Sequence, residues 1–370
     1  MIDHLSLGGA QLLLSQFGAA APLEGVEFSV AALTDRDGNP AAHSLRAVGI
    51  EPVNLDAIRL RPGPETFRTV RRHFVAAKPD LVHTHLGTAD WIGGLAARSL
   101  GVPAICTIHT SKWGHDLEQR TKRLVVDMCA ARVIAVSDNA RRAYEAVNWT
   151  KDHQVVTIHN GVDVVAVPGS GREVRSRLGW DEDDLVVGMI SALRPEKAHD
   201  LAIAAIALLE DQFPTLRLLI VGEGPAQGKI ANLALGLRER VAMFGLTTEV
   251  MRFFDACDVC LHPSLADAFP TTLIEAMAAG VPVLSSAVGG IPEMITTGET
   301  GIVMPGPPTA PTIARELGAL LRDPDRRAAL AEAARDVYEQ RFTAGRWLRD
   351  TRTVYDAVLA ESRPPRRARS

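Results

Sequence analysis

Short apolar runs rich in Val, Ile and Leu alternate with amphipathic stretches along almost the whole chain. In the first half, residues 26–33, 50–55, 80–84, 104–109, 132–137 and 154–159 predict strands, and residues 65–77 and 89–100 predict helices between them. The strand runs are nearly continuously apolar, as expected of strands covered by helices on both faces. This alternation predicts a doubly wound parallel sheet. The pattern breaks over residues 164–171, where Val167-Pro-Gly-Ser-Gly171 reads as a domain boundary. It then restarts, with strands at 185–191, 216–221, 240–244, 258–262 and 282–286 and a short one at 301–304. Helices are predicted at 172–178, 201–213, 227–237, 248–256, 270–279, 310–321, 325–342 and 344–361. The two halves read as two copies of one α/β architecture. The domains expected are 1–164, 165–342, a final helical segment 343–362, and a basic, proline-containing tail 363–370 that is predicted to be disordered.

A length of 370 residues supports two domains. With 46% hydrophobic and 23% charged residues the chain has the makeup of a soluble globular protein, and a net charge of −4 argues against a nucleic-acid footprint. Cys257 and Cys260 form a C-x-x-C pair followed by His262, but no second pair at matched spacing exists, so they read as core residues of a strand and no metal is expected. No stretch reaches the ~18 apolar residues of a membrane span, and no secretory signal opens the sequence. A reducing cytoplasm is the expected location. Arg68, Arg71 and Arg72 share the polar face of the helix carrying Phe67, Val70 and Phe74, and Lys112 and the pair Lys122-Arg123 follow a later strand. A solvated helix face accounts for them most simply. Peripheral contact with anionic lipid on the inner face of a membrane is the alternative they leave open.

Doubly wound domains bind ligands at the carboxyl ends of their strands, so chemistry is expected in the loops that follow them. Asp267 and Glu275 lie eight positions apart around the start of a predicted helix, with Pro270 suited to its first turn. Free amides in the stretch Phe269-Pro270-Thr271-Thr272, which Pro270 itself lacks, make a helix N-terminus that suits an anion, and a carboxylate one to two turns inside suits ribose hydroxyls. Alone, this would be a helix with an acidic cap. Arg194 and Lys197 add two cations in one post-strand loop, the usual means of holding a diphosphate. Gly222, in Val-Gly-Glu-Gly-Pro, and Phe244-Gly245 end two further strands. Gly8 and Gly9 open a helix near the start, where a backbone without side chains can approach phosphate or acceptor closely. His109 ends a strand, and His83 and His85, two apart, share one face of another.

Together these stretches resemble the retaining glycosyltransferases of family 4, over essentially the whole chain. The signature of that family is a Glu-x7-Glu motif, on which Asp267 and Glu275 fall. Gly8-Gly9-Ala10-Gln11, His83-Thr-His85, Thr107-Ile-His109, Ile134-Ala-Val-Ser137 and Asn160-Gly-Val-Asp163 extend the likeness. The resemblance implies a GT-B fold: two Rossmann-like domains facing across a cleft, the C-terminal helix crossing back to the first. It implies that Glu275 binds ribose, that Asp267 lies near the donor sugar, that Lys197 meets the donor phosphates, that the backbone near Phe244 meets the base, and that His109 contacts sugar or acceptor. The expected partners are a nucleotide-sugar donor, UDP-linked ahead of GDP-linked, and a hydroxyl-bearing acceptor, with no cofactor.

Three departures stand against the family pattern. The family arginine five residues before the lysine is Ala192 here, which leaves Arg194 to supply the charge. Asp267 is one methylene shorter than the usual glutamate. Met1 falls inside what should be the first strand, so either the start site is misassigned or that strand is truncated. Asp35-Arg36-Asp37 matches a D-x-D metal–nucleotide pattern but sits in a polar turn and reads as a loop. Two rivals share the fold: a non-hydrolysing nucleotide-sugar epimerase, and a non-catalytic nucleotide-sugar-binding relative.

Overall fold

A computed structural model describes residues 1–6, 8–35, 39–57, 62–114, 116–148, 154–237 and 239–362. Arg36 and Asp37 of the D-x-D stretch and the tail 363–370 lie outside the described residues. The chain divides into two compact units, the first holding Met1–Gly161 and the C-terminal helix, the second Val162–Thr343.

In the first unit the elements run α1 (Gly9–Ala20), β1 (Ala31–Ala32), α2 (Pro40–Ala47), β2 (Val53–Asn54), α3 (Pro64–Ala77), β3 (Val82–His85), α4 (Gly87–Arg98), β4 (Ala104–Ile108), α5 (Leu117–Cys129), β5 (Ala130–Ala135), α6 (Asp138–Glu145) and β6 (Val155–Thr157). All pairings are parallel, in the pairs β1–β2 and β3–β4–β5–β6. Ile2 bridges both sets, pairing in parallel with Ala32 on one side and His85 on the other. The strand order is therefore β2-β1-Ile2-β3-β4-β5-β6, and it reverses at Ile2 and β3. The strand expected at 26–33 shrinks to Ala31–Ala32, and that at 50–55 to Val53–Asn54. The physical reason lies in the partner: the segment beside β1 pairs briefly, the Ile2 amide donating to the Ala31 carbonyl and the carbonyls of Ile2 and Asp3 accepting from Leu33 and Thr34. An apolar run cannot extend a ladder past the end of its neighbour.

Helix α3 shows how the pattern folds. Val70 and Phe74 are buried and Phe67 half-buried, while Arg68, Arg71 and Arg72 face solvent. Pro64 opens it, where a missing N–H costs nothing, and Lys78 ends it in the left-handed region at φ 50°. Its inner face meets Val82, Ile92 and Ala96 in one apolar cluster.

The second unit runs α7 (Ser170–Arg177), β7 (Leu185–Ile190), α8 (His199–Leu208), β8 (Leu216–Val221), α9 (Gln227–Ala234), β9 (Val241–Phe244), α10 (Val250–Phe254), β10 (Val259–His262), α11 (Thr271–Ala279), β11 (Val283–Ser286), α12 (Ile291–Met294), β12 (Ile302–Met304), α13 (Ala310–Leu321) and α14 (Pro324–Arg341). Its six strands are parallel in the order β12-β11-β10-β7-β8-β9, which reverses between β7 and β10. Val187, Leu218, Ile220, Leu261 and Leu284 project from these strands into one core with Ile203, Ile206 and Leu317 of the helices. The helix expected at 227–237 stops at Ala234 and continues as a 3-10 turn, Leu235–Leu237, that contains Gly236. The helix expected at 201–213 spans His199–Leu208 and ends before Phe213-Pro214, where the proline disfavours helical backbone in the residue before it.

The last helix, α15 (Ala344–Ser362), belongs to the first unit. Trp347, Leu348, Thr351, Tyr355 and Val358 are buried at helical spacing, and the Phe17 ring of α1 meets Trp347 edge-on at 5.3 Å. Arg132 of β5 pairs with Glu361 at 2.6 Å near its end.

Candidate active site

In an open parallel sheet, helices leave a crevice at the carboxyl ends of the two strands where the order reverses. In the second unit those strands are β7 and β10. The loop after β7 carries Arg194 and Lys197 on a 3-10 turn, Pro195–Lys197, and the loop after β10 carries Asp267. The two loops are tied together, since the Leu265 amide donates to the Glu196 carbonyl at 2.7 Å. The tie brings Lys197 Nζ to 2.5 Å from Asp267 Oδ2, with the two side chains only 18% and 15% exposed. At that burial the ion pair is shielded from water, so its charges act strongly on their surroundings.

Asp267 Oδ2 has a second partner. His262 Nε2, on the last residue of β10, lies 3.0 Å away, and Ser264 Oγ lies 3.0 Å from the same nitrogen. Ser286 Oγ at the end of β11 donates to the Ser264 carbonyl at 2.6 Å. Burial pushes the Asp267 carboxyl up, but the hydrogen bond and charge of His262 and the ammonium of Lys197 outweigh it and hold the group at about 2. Burial lowers the His262 imidazole, which Asp267 offsets only in part. His199, first residue of α8, has Nε2 3.3 Å from Ser191 Oγ, and burial brings it down to about 4, with His262 and Lys197 adding to the shift. Both rings are therefore neutral near neutral pH, and Nε2–H of His262 donates to Asp267.

Helix α11 begins at Thr271, one residue later than expected. Pro270 is its N-cap, extended at ψ 119°, because the chain enters the helix straight from the Asp267 loop. Thr272 Oγ1 donates to the Ile190 carbonyl at 3.0 Å, fixing the helix start against the end of β7. The Phe269 ring is buried against Phe342 at 5.8 Å, so its side chain serves the core. Glu275 is half-buried one turn on, with no ion-pair partner for its carboxylate among the described residues, and burial raises it to about 7. It is a carboxylate without a cation in the helix that follows the Asp267 loop. Arg194 is exposed, and its side chain has no partner among the described residues.

Two glycines hold the loops at backbone contact. Gly222 sits at φ +138°, and a Cβ there would lie 2.1 Å from the Ser191 carbonyl oxygen. Gly289 sits at φ +57°, and a Cβ there would lie 1.6 Å from the Asp267 carbonyl oxygen. Neither position accepts a side chain without moving the loops that carry Lys197 and Asp267. Phe244 ends β9, where its ring meets Phe253 at 4.6 Å and the Arg177 guanidinium at 5.7 Å. The Phe244 carbonyl accepts from the Gly222 amide at 3.0 Å.

In the first unit the order reverses at Ile2 and β3. Gly8 is the N-cap of α1 with extended backbone at φ −175°, Gly9 opens the helix, and Leu7 lies outside the described residues. The Gln11 side chain lies over Gly8, close enough that a Cβ there would lie 2.3 Å from its Oε1, and Gln11 Nε2 is 3.3 Å from His4 Nδ1. Three histidines stack at the ends of β3 and β4. His83 and His85 have ring centres 4.3 Å apart, and His85 Nδ1 is 3.1 Å from His109 Nε2. Tyr355 of α15 reaches His83 Nδ1 at 2.5 Å, and Thr107 Oγ1 reaches its Nε2 at 2.6 Å. Burial lowers all three rings, His109 to about 4. They are neutral hydrogen-bonding groups near pH 7.

Cys257 and Cys260 are free thiols raised by burial, and Cys257 Sγ donates to the Phe253 carbonyl at 3.0 Å. Among the described residues no group of three or more His, Cys, Asp or Glu side chains is placed to hold a metal ion, and no helix is long and apolar enough to cross a membrane. The sequence pattern overlooks His262, His199 and Ser264. A histidine closing an apolar strand reads as core, and nothing in its spacing announces a carboxylate five residues on.

Residues 171–337 match the family described as Glycosyl transferases group 1, and residues 7–165 match Glycosyltransferase Family 4. A D-inositol 3-phosphate glycosyltransferase of Streptomyces scabiei is 31% identical, covering 77% of this chain and 69% of that protein. Its counterpart in Streptomyces coelicolor is 30% identical over 79% and 71%. Among solved structures, Anabaena HepE in complex with UDP-glucose superposes with a TM-score of 0.84 at 22% identity over 96% of this chain and 98% of that one. A sucrose-phosphate synthase of Thermosynechococcus elongatus does so with 0.77 at 22% identity, over 97% and 96%. At such identities the likeness speaks for the fold, and it is that of the GT-B glycosyltransferases. With both halves matched and these two curated relatives, at 30% identity or more, covered over more than two thirds of their length, this chain belongs to the group 1 and family 4 glycosyltransferases.

Proposed function

We propose that the protein transfers a sugar from a nucleoside-diphosphate sugar, UDP-linked ahead of GDP-linked, to a hydroxyl acceptor with retention of anomeric configuration. The observation that carries this reading is the crevice at β7 and β10, which sets a shielded Lys197–Asp267 pair beside the start of α11 and the cation-free carboxylate of Glu275. Cations and helix amides suit a diphosphate. A lone carboxylate suits the paired hydroxyls of a ribose. HepE has been solved in complex with UDP and with UDP-glucose, which favours a UDP donor here.

In this reading the second unit holds the donor and the first presents the acceptor. The bond between the sugar's anomeric carbon and the diphosphate oxygen breaks, and its electron pair leaves with the phosphate. The acceptor oxygen forms the new bond on the same face and passes its proton to the departing phosphate. Lys197, with Arg194 and the amides of Thr271 and Thr272, stabilises the charge that develops there. In the second unit Asp267 serves the sugar, and in the first His109 serves sugar or acceptor. Gly8 and Gly9 let the acceptor approach backbone closely, and Gly222 and Phe244 frame the base. The relatives' name makes a phosphorylated polyol one acceptor class to assay first. The exposed arginines of α3 leave peripheral contact with an anionic membrane compatible with this reading.

A thermal-shift screen tests the donor class. UDP at roughly a hundred times its Kd should stabilise the fold by about 2.7 kcal/mol and raise Tm above that with GDP, ADP or TDP. No shift with any of the four would remove the donor site from this crevice.

Transfer should proceed in excess EDTA, because ammonium, guanidinium and helix amides already offset the diphosphate charge. Complete loss in EDTA that Mg²⁺ or Mn²⁺ restores would show that a metal ion carries this charge.

A further inference from the structure

Lys197 has two claims on it. It pairs with Asp267 at 2.5 Å, and in the reading above it also meets the donor's diphosphate. An ammonium has three donors and can contact two anions, but a diphosphate beside it shares the charge that Asp267 otherwise holds alone. As Lys197 leans toward phosphate, Asp267 would become a buried anion with a weakened partner, free to swing. His262 is the group placed to prevent this. It closes β10, a strand paired on one side with β7 and on the other with β11, where His262 lies in register with Ser285. Its side chain is 4% exposed, its Nε2 is 3.0 Å from the same Oδ2 that Lys197 uses, and Ser264, itself held by Ser286, braces that nitrogen.

We propose that His262 is a positioning residue that keeps the Asp267 carboxylate aimed at the donor sugar while Lys197 is drawn to the diphosphate. This rests on the donor-site reading above. A neutral Nε2–H suits the task, since it anchors a carboxylate without adding a positive charge that would compete for phosphate. The charged and titratable groups facing it are Asp267 from its own loop, Lys197 from the turn after β7 and His199 from the start of α8.

The test exploits reach. In His262→Gln the amide nitrogen falls near the position of Nε2, whereas in His262→Asn it falls near Nδ1 and stops short of Asp267. Both are amides of similar polarity, so a merely structural role would be hurt alike. Donor turnover is followed as kcat and KM, UDP affinity by calorimetry, and kcat from about pH 4 to 8. His262→Gln should keep most of kcat. His262→Asn should lose roughly tenfold or more in kcat with UDP affinity within about twofold, and the acidic limb of its kcat profile should move to higher pH as Asp267 loses a donor. Equal kcat in the two variants, or a joint fall of kcat and UDP affinity in both, overturns the proposal. If Asp267→Ala and Lys197→Ala also leave turnover untouched, the donor-site reading fails with it. If those two are impaired while His262→Asn is normal, only the positioning role fails.

Discussion

Lys197→Ala should lower turnover by roughly ten- to a hundredfold, the cost of about 1.5 to 3 kcal/mol for losing a charge-assisted contact to the leaving phosphate. The Lys197–Asp267 pair adds a second, separable consequence. Burial works against the Asp267 anion, and His262 and Lys197 together hold it at about 2. A carboxyl depressed below its unfolded value of 3.8 adds stability above that value, and the contribution is lost as pH falls toward 2. With Lys197 gone, only His262 opposes burial, the folded value climbs, and the part of the stability at neutral pH that Lys197 contributes, on the order of 1 kcal/mol, is forfeited. The variant should therefore unfold at a less acidic pH as well as turn over slowly. Chemical denaturation from about pH 3 to 7 read beside initial rates separates the two effects. Arg194 sits on the same 3-10 turn, exposed and without a side-chain partner among the described residues. Arg194→Ala should cost less than Lys197→Ala but remain measurable if, as in the proposed reading, this side chain supplies the charge missing at Ala192. A silent Arg194→Ala together with a faster Ala192→Arg shows that Arg194 does not compensate. A Lys197→Ala variant with normal kcat removes Lys197 from the leaving-group role altogether.

The fold is legible in the sequence where a strand's own residues decide its fate. Residues 216–221 are apolar apart from Arg217, and β8 occupies those positions between two neighbours. Legibility fails where the partner decides. The apolar run at 26–33 is as convincing as the one at 216–221, yet β1 keeps only Ala31–Ala32 because Ile2 is a short neighbour. The site divides in the same way. Asp267 and Glu275 share one loop and helix, so their spacing places them without tertiary knowledge. The pairing of Lys197 with Asp267 spans seventy positions, and His262 enters through side-chain direction at a strand end. Gly289 is the clearest case. Nothing in Val288-Gly-Gly shows that the second residue must lack a Cβ, because the obstacle is the carbonyl of Asp267 in another loop. Sequence reports the chemistry a residue offers; which neighbour will use it depends on contacts that close only on folding.

The two carboxylates should part company under mutation. Glu275 lies one turn into α11 with no cation among the described residues, where ribose hydroxyls can donate to it both in the nucleotide complex and during transfer. Glu275→Ala should weaken UDP and UDP-sugar alike, by roughly thirty- to a hundredfold if two charge-assisted hydrogen bonds worth about 2 to 3 kcal/mol are lost. Burial raises this carboxyl to about 7, so the free protein holds it mostly neutral below that pH. Hydroxyl donors prefer the anion. UDP affinity should therefore rise as pH climbs through about 7 and level off above it, with a proton released on binding. The same raised value makes the ligand-free fold lose stability as pH rises from 4.5, where the unfolded chain ionises, toward 7. Glu275→Gln should abolish both trends, and whatever pH dependence it retains belongs to the nucleotide's own phosphate. In the proposed reading Asp267 acts at the sugar end. Asp267→Ala should leave UDP affinity within about twofold, since it frees Lys197 for the phosphates, while kcat falls by about tenfold or more. Asp267→Glu restores the longer reach usual in the family and should keep kcat within about threefold. Calorimetry with UDP from about pH 6 to 8, paired with initial rates for the four variants, resolves the split. If Glu275→Ala and Asp267→Ala both bind UDP and turn over normally, α11 is not the donor helix, and the ribose and sugar roles must be sought at another strand end of the same sheet.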